Sequence, residues 1–156
     1  MLIKSLISKD EAVQLLDWTV TQNIYQHTSV GEHGFYSTLD ELNNHPSLIN
    51  VIRKKCSDYV DGVYQEPIYK DFVNEVFING YVQEHTDPTV KGYKHLRCNI
   101  MLQKPNTGGQ IIFNGEAIDM DIGDMYIVDT SLPHEVSKVQ GKVTYKTIVF
   151  GFLCNE

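Results

Sequence analysis

Phe77-Ile78-Asn79-Gly80-Tyr81-Val82-Gln83-Glu84-His85-Thr86-Asp87 is the stretch on which the reading of this chain turns. It continues a run, Phe72 to Ile78, of β-branched and aromatic residues, the composition of a strand. His85 and Asp87 stand two positions apart, so on extended backbone both side chains project to the same side and can converge on one point. By itself a His-x-Asp ahead of Pro88 is an ordinary solvated turn; what surrounds it changes that reading.

Toward the C-terminus the strand signature recurs in the runs His95 to Leu102, Gln110 to Phe113, Met125 to Val128 and Val143 to Phe152. Asn106-Thr107-Gly108-Gly109, Asn114-Gly115 and Ile122-Gly123-Asp124 separate them as turns. Toward the N-terminus the period lengthens. Ser8-Lys9-Asp10-Glu11 is a capping box, and Ala12, Leu15, Leu16 and Thr19 continue one face of a helix over about 9–22. A loop rich in Gly, His and Ser follows around Gly31 to Ser37. Asn44-His45-Pro46-Ser47 then starts a second helix, about 46–61, carried by Leu48, Val51, Ile52, Cys56, Tyr59 and Val60. The expected fold class is α+β: a double-stranded β-helix (jelly-roll) core over about 69–154, opening at Tyr69, with N-terminal buttressing helices within about 1–65. A single domain over 1–156 accounts for the whole length, and no internal repeat or low-complexity segment is visible.

The 156 residues are 42% hydrophobic and 21% charged, enough for one genuine core, and the formal charge is −7. That balance, with Arg53 and Arg97 the only arginines, disfavours a nucleic-acid partner, which would show clustered basic residues. Cys56, Cys98 and Cys154 are scattered, odd in number and outside metal-binding spacing, so they read as reduced thiols. The opening Met1-Leu2-Ile3-Lys4-Ser5-Leu6-Ile7-Ser8 is too short an apolar run for a signal peptide, and no stretch is long enough for a membrane span. A cytoplasmic protein without a membrane partner is expected; the residues say nothing of oligomeric state.

A second histidine, His134, follows His85 by 49 positions and sits in Leu132-Pro133-His134-Glu135-Val136. Two histidines and a carboxylate on one face of a ferrous ion leave coordination positions open for substrate and O₂, the arrangement that non-haem Fe(II) oxygenases need. His85, Asp87 and His134 are therefore the candidate metal ligands and catalytic residues.

The stretch from Phe77 to Asp87 resembles the aromatic-x-x-Gly lead-in to His-x-Asp of the Fe(II)/2-oxoglutarate-dependent dioxygenase superfamily, in its prolyl-4-hydroxylase-like branch. His95-Leu96-Arg97-Cys98-Asn99-Ile100-Met101-Leu102, Gly108-Gly109-Gln110-Ile111-Ile112-Phe113, Ile122-Gly123-Asp124-Met125-Tyr126-Ile127-Val128 and the His134 segment are similar, in order, to its successive strand motifs. The resemblance covers roughly residues 72–153. It implies Fe(II) held by His85, Asp87 and His134, 2-oxoglutarate as chelating co-substrate, O₂ as oxidant and ascorbate as an optional reductant. The implied reaction hydroxylates an unactivated C–H bond of a small-molecule, peptide or protein substrate, prolyl or another amino-acid side chain, with release of succinate and CO₂.

The family also implies a cation for the far carboxylate of 2-oxoglutarate about ten residues after the second histidine. Position 144 is Thr, and no Arg follows His134. Lys138, Lys142 and Lys146 remain, and strand alternation groups Thr144, Lys146 and Ile148 on one face against Val143, Tyr145, Thr147 and Val149 on the other. If the family position faces inward at Thr144, Lys146 is the expected anchor with Thr144 as its hydroxyl partner. Arg97 and Lys142 are the rival anchors, and Asn99, on the same face of its strand as Arg97, is a candidate co-substrate contact.

His27, His33 and His45 read as surface or capping residues, and His95 as lying outside the metal shell. Tyr81, Tyr93 and Tyr126 are candidates for the pocket mouth, and the loops Gly31 to Asp40 and Pro88 to Lys94 for substrate contact. Two other readings stand beside the hydroxylase: a cupin-like metalloprotein that does not use 2-oxoglutarate, and a non-catalytic jelly-roll binding module. Cupins usually carry His-x-His with a following Glu, where this chain has His-x-Asp.

Overall fold

The computed structural model describes residues 1–61, 64–68 and 70–156; Tyr69, where the sequence pattern changes to strands, lies outside the described residues. In chain order the elements are β1 (Leu2–Ile3), α1 (Lys9–Val20), β2 (His27–Thr28), β3 (Gly31–Thr38), a 3₁₀ turn (Leu39–Glu41), α2 (Leu48–Val60), β4 (Tyr64–Gln65) and β5 (Phe72–His85). There follow β6 (Tyr93–Gln103), β7 (Ile111–Phe113), β8 (Glu116–Ile118), β9 (Met125–Asp129), β10 (His134–Val136) and β11 (Tyr145–Asn155). The main hydrogen-bonded path runs β1-β9-β6-β11-β5-β10-β7-β8, every pair antiparallel. This is the double-stranded β-helix, with two helices on one side.

The long strand β5 joins the two sheets. Its first part, Phe72 to Val76, pairs with β11 and β3, while Val82 to His85 pairs with β10. The change falls at Asn79-Gly80. Asn79 takes φ +67°, a left-handed conformation that Asn tolerates better than most side chains. Gly80 lies so close to β3 that a Cβ there would stand 2.7 Å from the carbonyl oxygen of Glu32.

Helix α1 begins where the capping box places it. The Ser8 hydroxyl accepts the amide of Glu11 at 3.1 Å, and the Glu11 carboxylate accepts the amide of Ser8 at 2.8 Å. Ala12, Leu15 and Trp18 of α1 and Ile49, Ile52, Cys56 and Val60 of α2 bury against Val73, Cys98, Ile100, Ile148, Phe150 and Phe152 of the sheet. A second apolar cluster, including Val76, Met101, Val128, Val136 and Tyr145, fills the space between the sheets. Strand β11 lies between the two clusters, which is why Tyr145 to Cys154 are all buried and show no polar alternation.

Three expectations need correction. The segment Gly31 to Ser37, expected as a loop, is strand β3, eight residues long and followed by the 3₁₀ turn. Gly31 and Gly34 hide the alternation by which a strand is read, yet Gly31 is required by close packing: a Cβ there would stand 2.4 Å from the Tyr81 carbonyl oxygen. Strand β5 runs on to His85, because backbone pairing with β10 replaces the lost side-chain pattern. Both helices are shorter than expected, and Ser47, at the start of α2, makes no side-chain capping bond. No helix among the described residues is long and apolar enough to cross a membrane.

The helix–sheet core is the main support of β11, and Phe150 is fully buried within it. Phe150→Ala is expected to cost about 3–5 kcal/mol, read as a lowered urea midpoint with an unchanged denaturant slope.

Candidate metal centre

His134 of β10 pairs directly with His85 at the end of β5, which sets the two imidazoles side by side with ring centroids 4.4 Å apart. Asp87 follows two residues on and is held by its backbone: its amide donates to the Thr130 carbonyl at 2.8 Å. The Thr130 amide donates in turn to the His95 carbonyl at 2.9 Å. One ligand atom from each of His85, Asp87 and His134 lies within 4.8 Å of the others, the one such group found among the described residues.

Each ring is oriented by a bond to its own chain. Nδ1 of His85 lies 2.7 Å from the Gln83 carbonyl oxygen, and Nδ1 of His134 lies 2.9 Å from that of Leu132. A carbonyl only accepts, so both Nδ1 atoms carry a proton, and in the neutral rings that ligate a metal the lone pair is on Nε2. Those Nε2 atoms face Asp87, at 3.5 Å from Oδ1 for His85 and 3.7 Å from Oδ2 for His134. Burial holds His134 below the ordinary imidazole range, against the opposing pull of Asp87, which favours the neutral form that ligates metals.

The three residues line a cavity of about 180 Å³ that also takes in Tyr36, Asn74, Arg97, Asn99 and Tyr145. That is below the roughly 300 Å³ at which pockets for drug-sized ligands begin, and suits a small acid beside a metal. Among the described residues Arg97 is the only Lys or Arg on its wall. The Arg97 guanidinium hydrogen-bonds Asp87 Oδ2 and lies over the Phe72 ring at 5.4 Å. Asn74 also lines the cavity, and its Oδ1 is buried with no hydrogen-bond partner among the described residues.

Lys146 does not reach this cavity. Its Nζ is buried on the helix side of the sheet, 3.3 Å from Glu75 Oε2 and 3.4 Å from Thr19 Oγ1 of α1. Thr144 lies with it, donating to Glu75 Oε1 at 3.0 Å and accepting from Gln103 at 2.7 Å. The inward face of β11 is the other one, carrying Tyr145, so the inward parity expected at Thr144 is off by one residue. Burial pushes the Tyr145 phenol well above its ordinary range, so this position offers a neutral hydroxyl.

Of the remaining candidates, Asn99 lines the cavity, whereas Tyr81, Tyr93, Tyr126 and the loop Pro88 to Lys94 do not. From Gly31 to Asp40 only Tyr36 contributes, and Thr28, Ser29 and Val30 just before it form the rest of that wall. His95 is buried outside the triad, with Nε2 3.2 Å from Glu66 Oε1. Sequence reasoning missed Asn74 and Tyr145, and had Tyr36 only as one residue of the segment Gly31 to Asp40. Inward parity on β5 and β11 was the signal that would have found Asn74 and Tyr145.

The fold is that of the 2-oxoglutarate/Fe(II) oxygenases, a class whose solved members superpose on nearly the full chain. A collagen prolyl hydroxylase of Paramecium bursaria Chlorella virus-1, solved with 2-oxoglutarate, matches with TM-score 0.67 at 14% identity over 96% of this chain and 94% of its own. A prolyl-4-hydroxylase of Pseudomonas putida matches with TM-score 0.67 at 11% identity, over 100% and 92%. HygX of Streptomyces hygroscopicus, solved with nickel and 2-oxoglutarate, matches with TM-score 0.76 at 7% identity, over 98% and 82%. No curated protein matches the sequence. The aspartyl/asparaginyl beta-hydroxylase family model matches residues 39–144, more than half of the chain, and the chain belongs to that family.

Lys146 has a structural role that can be checked. Lys146→Met leaves Glu75 buried without its cation and is expected to cost about 3 kcal/mol in urea unfolding, a loss that Lys146→Met with Glu75→Gln largely restores.

Proposed function

We propose that the chain is an Fe(II)- and 2-oxoglutarate-dependent hydroxylase in which His85, Asp87 and His134 hold the iron and Arg97 receives the far carboxylate of 2-oxoglutarate. The observation that carries the reading is the triad: two Nε2 lone pairs and a carboxylate within 4.8 Å of one another, on a cavity wall. That donor set suits Fe(II), and an ion held by three side chains keeps positions open for a bidentate acid and O₂. For the co-substrate, the fit rests on Arg97 as the cation on the wall and on Asn74, a wall residue whose side-chain amide can present its NH₂ to a carboxylate.

Iron bound there supplies the redox chemistry that inserts one oxygen atom into a C–H bond while 2-oxoglutarate is consumed to succinate and CO₂. The chain's own residues do the rest. Carbonyl-bonded Nδ1 atoms hold the two rings with Nε2 toward Asp87, the atoms that would bind the metal. Arg97 orients the Asp87 carboxylate by its bond to Oδ2. Val82, Ile111 and Val136 give the cavity an apolar lining that would limit water at a bound metal. The hairpin residues Thr28, Ser29 and Val30 form the wall on which a substrate side chain would be positioned.

The substrate class that follows from the family is an amino-acid side chain, free or in a peptide, with aspartyl, asparaginyl and prolyl residues the first to test. The cupin-like alternative would want His-x-His, where residues 85–87 are His-Thr-Asp. No observation favours a binding module without chemistry over an intact triad.

Anaerobic addition of Fe(II) and 2-oxoglutarate should produce the weak visible charge-transfer band of their chelate, and Asp87→Ala should abolish it. A wild-type protein without the band does not have this function. Arg97→Gln should raise the 2-oxoglutarate concentration at half-maximal band at least about tenfold, as expected for losing a charge-assisted pair. Incubation with a panel of peptides and amino acids should transfer one oxygen atom to a member of the panel, read as its mass gain.

A further inference from the structure

A chain of buried charge extends from the metal centre away from the cavity. Asp87 bonds one arm of the Arg97 guanidinium, and the other arm, Nη2, lies 3.6 Å from Glu66 Oε2. The second oxygen of Glu66 lies 3.2 Å from His95 Nε2. The side chains of Glu66 and His95 are 0% and 1% exposed. A carboxylate so fully withdrawn from water requires compensation, and Arg97 is the cation placed to give it.

The backbone is shaped to admit Glu66. Its amide donates to the Gly151 carbonyl at 3.1 Å, continuing the pairing of β4 with the end of β11. Gly151 faces Arg97 in register on β6, and Leu153 faces His95, so Glu66 crosses the β11–β6 seam at the point where both partners stand. A Cβ at 151 would be 2.8 Å from Glu66 Cβ and 3.3 Å from its Oε2, so glycine there is what lets the carboxylate lie down on the seam. The segment is tied a second time by Asp71, whose Oδ1 accepts the Gly151 amide at 3.1 Å while its Oδ2 accepts Arg53 at 2.8 Å.

We infer that Glu66, backed by His95, is the fixed counter-charge of Arg97 and so a positioning residue that tunes both halves of the site. Arg97 is shared between two carboxylates of opposite destiny. Asp87 gives its charge to the metal, and Glu66 does not. With Glu66 ionised, part of the guanidinium charge is neutralised away from the cavity, so Arg97 neither competes strongly with a cation for Asp87 nor repels it. The same neutralisation weakens the pull of Arg97 on an incoming anion. Removing the charge of Glu66 while keeping its shape should therefore move the two ligands in opposite directions: the metal binds more weakly and the dianion more tightly. This rests on the proposed triad and on Arg97 as co-substrate anchor.

The test uses Glu66→Gln in the full chain, with Mn(II) as a redox-silent ion and 2-oxoglutarate titrated at saturating Mn(II), both followed by calorimetry. The expected result is a Mn(II) Kd at least about threefold higher and a 2-oxoglutarate Kd at least about threefold lower than wild type, as for one unit charge at an effective dielectric near 20. A merely structural Glu66 would weaken both together, and that outcome, or no change in either, overturns the inference. Wild-type protein that binds Mn(II) but not 2-oxoglutarate overturns the anchoring reading and this inference with it, whereas wild type that binds both leaves Glu66 alone on trial. Should Glu66→Gln melt too low to titrate, a melting-temperature cycle with Arg97→Gln decides: the double variant should recover stability over the single one, and additive losses overturn the pairing.

Discussion

One strand serving two sheets is the constraint from which the site follows. β5 leaves the helix-backed sheet at Asn79-Gly80 and pairs onward with β10, where His85 meets His134. Between the pairs Val136↔Val82 and His134↔His85, β10 advances two residues and β5 three. The extra residue is a bulge, and it changes the parity of β5. Without it, His85 would face away from the side to which Val82 contributes cavity wall. A strand that simply alternated would point His85 out of the cavity, so the bulge is part of what brings the two imidazoles and Asp87 together. The bonds from Nδ1 to the Gln83 and Leu132 carbonyls then turn proximity into ligand-ready geometry.

The features legible in the sequence are those with a local physical cause. The capping box at Ser8, the turns at Asn114-Gly115 and Ile122-Gly123-Asp124, and the apolar runs of β6, β9 and β11 each arise from neighbouring residues, and each appears near where it was read. The convergence of His85, Asp87 and His134 was legible for a different reason: a metal needs few residue types at constrained spacing. What escaped was set by distant partners. β3 is a strand because β5 supplies its hydrogen bonds, while its own glycines blur the pattern. The parity of β11 depends on which of two apolar clusters each face meets, and both are apolar, so nothing in Val143 to Val149 marks the inner one. Reading Thr144 as inward carried Lys146 with it, and a one-residue error moved the expected cation from the helix side to the cavity side.

Lys146 and Arg97 show how a buried cation is assigned to structure or to function. Lys146 closes a pair with Glu75 and hydrogen-bonds Thr19 of α1 on the helix side of the sheet, away from the cavity. Such a pair contributes little net stability over an apolar filling, and its contact to Thr19 links the strand to α1. Arg97 stands at the edge of a cavity with carboxylates on two sides and an aromatic ring beneath. Desolvating that many charges for stability alone would be poor physics, since apolar side chains would fill the same volume at lower cost. The arrangement makes sense when one of the two carboxylates has a further partner. A divalent ion bound by Asp87 would withdraw that carboxylate from Arg97, and Glu66 would keep the guanidinium from being left bare beside the ion. On the proposed reading the charge of the centre is balanced from outside the cavity wall, by Glu66.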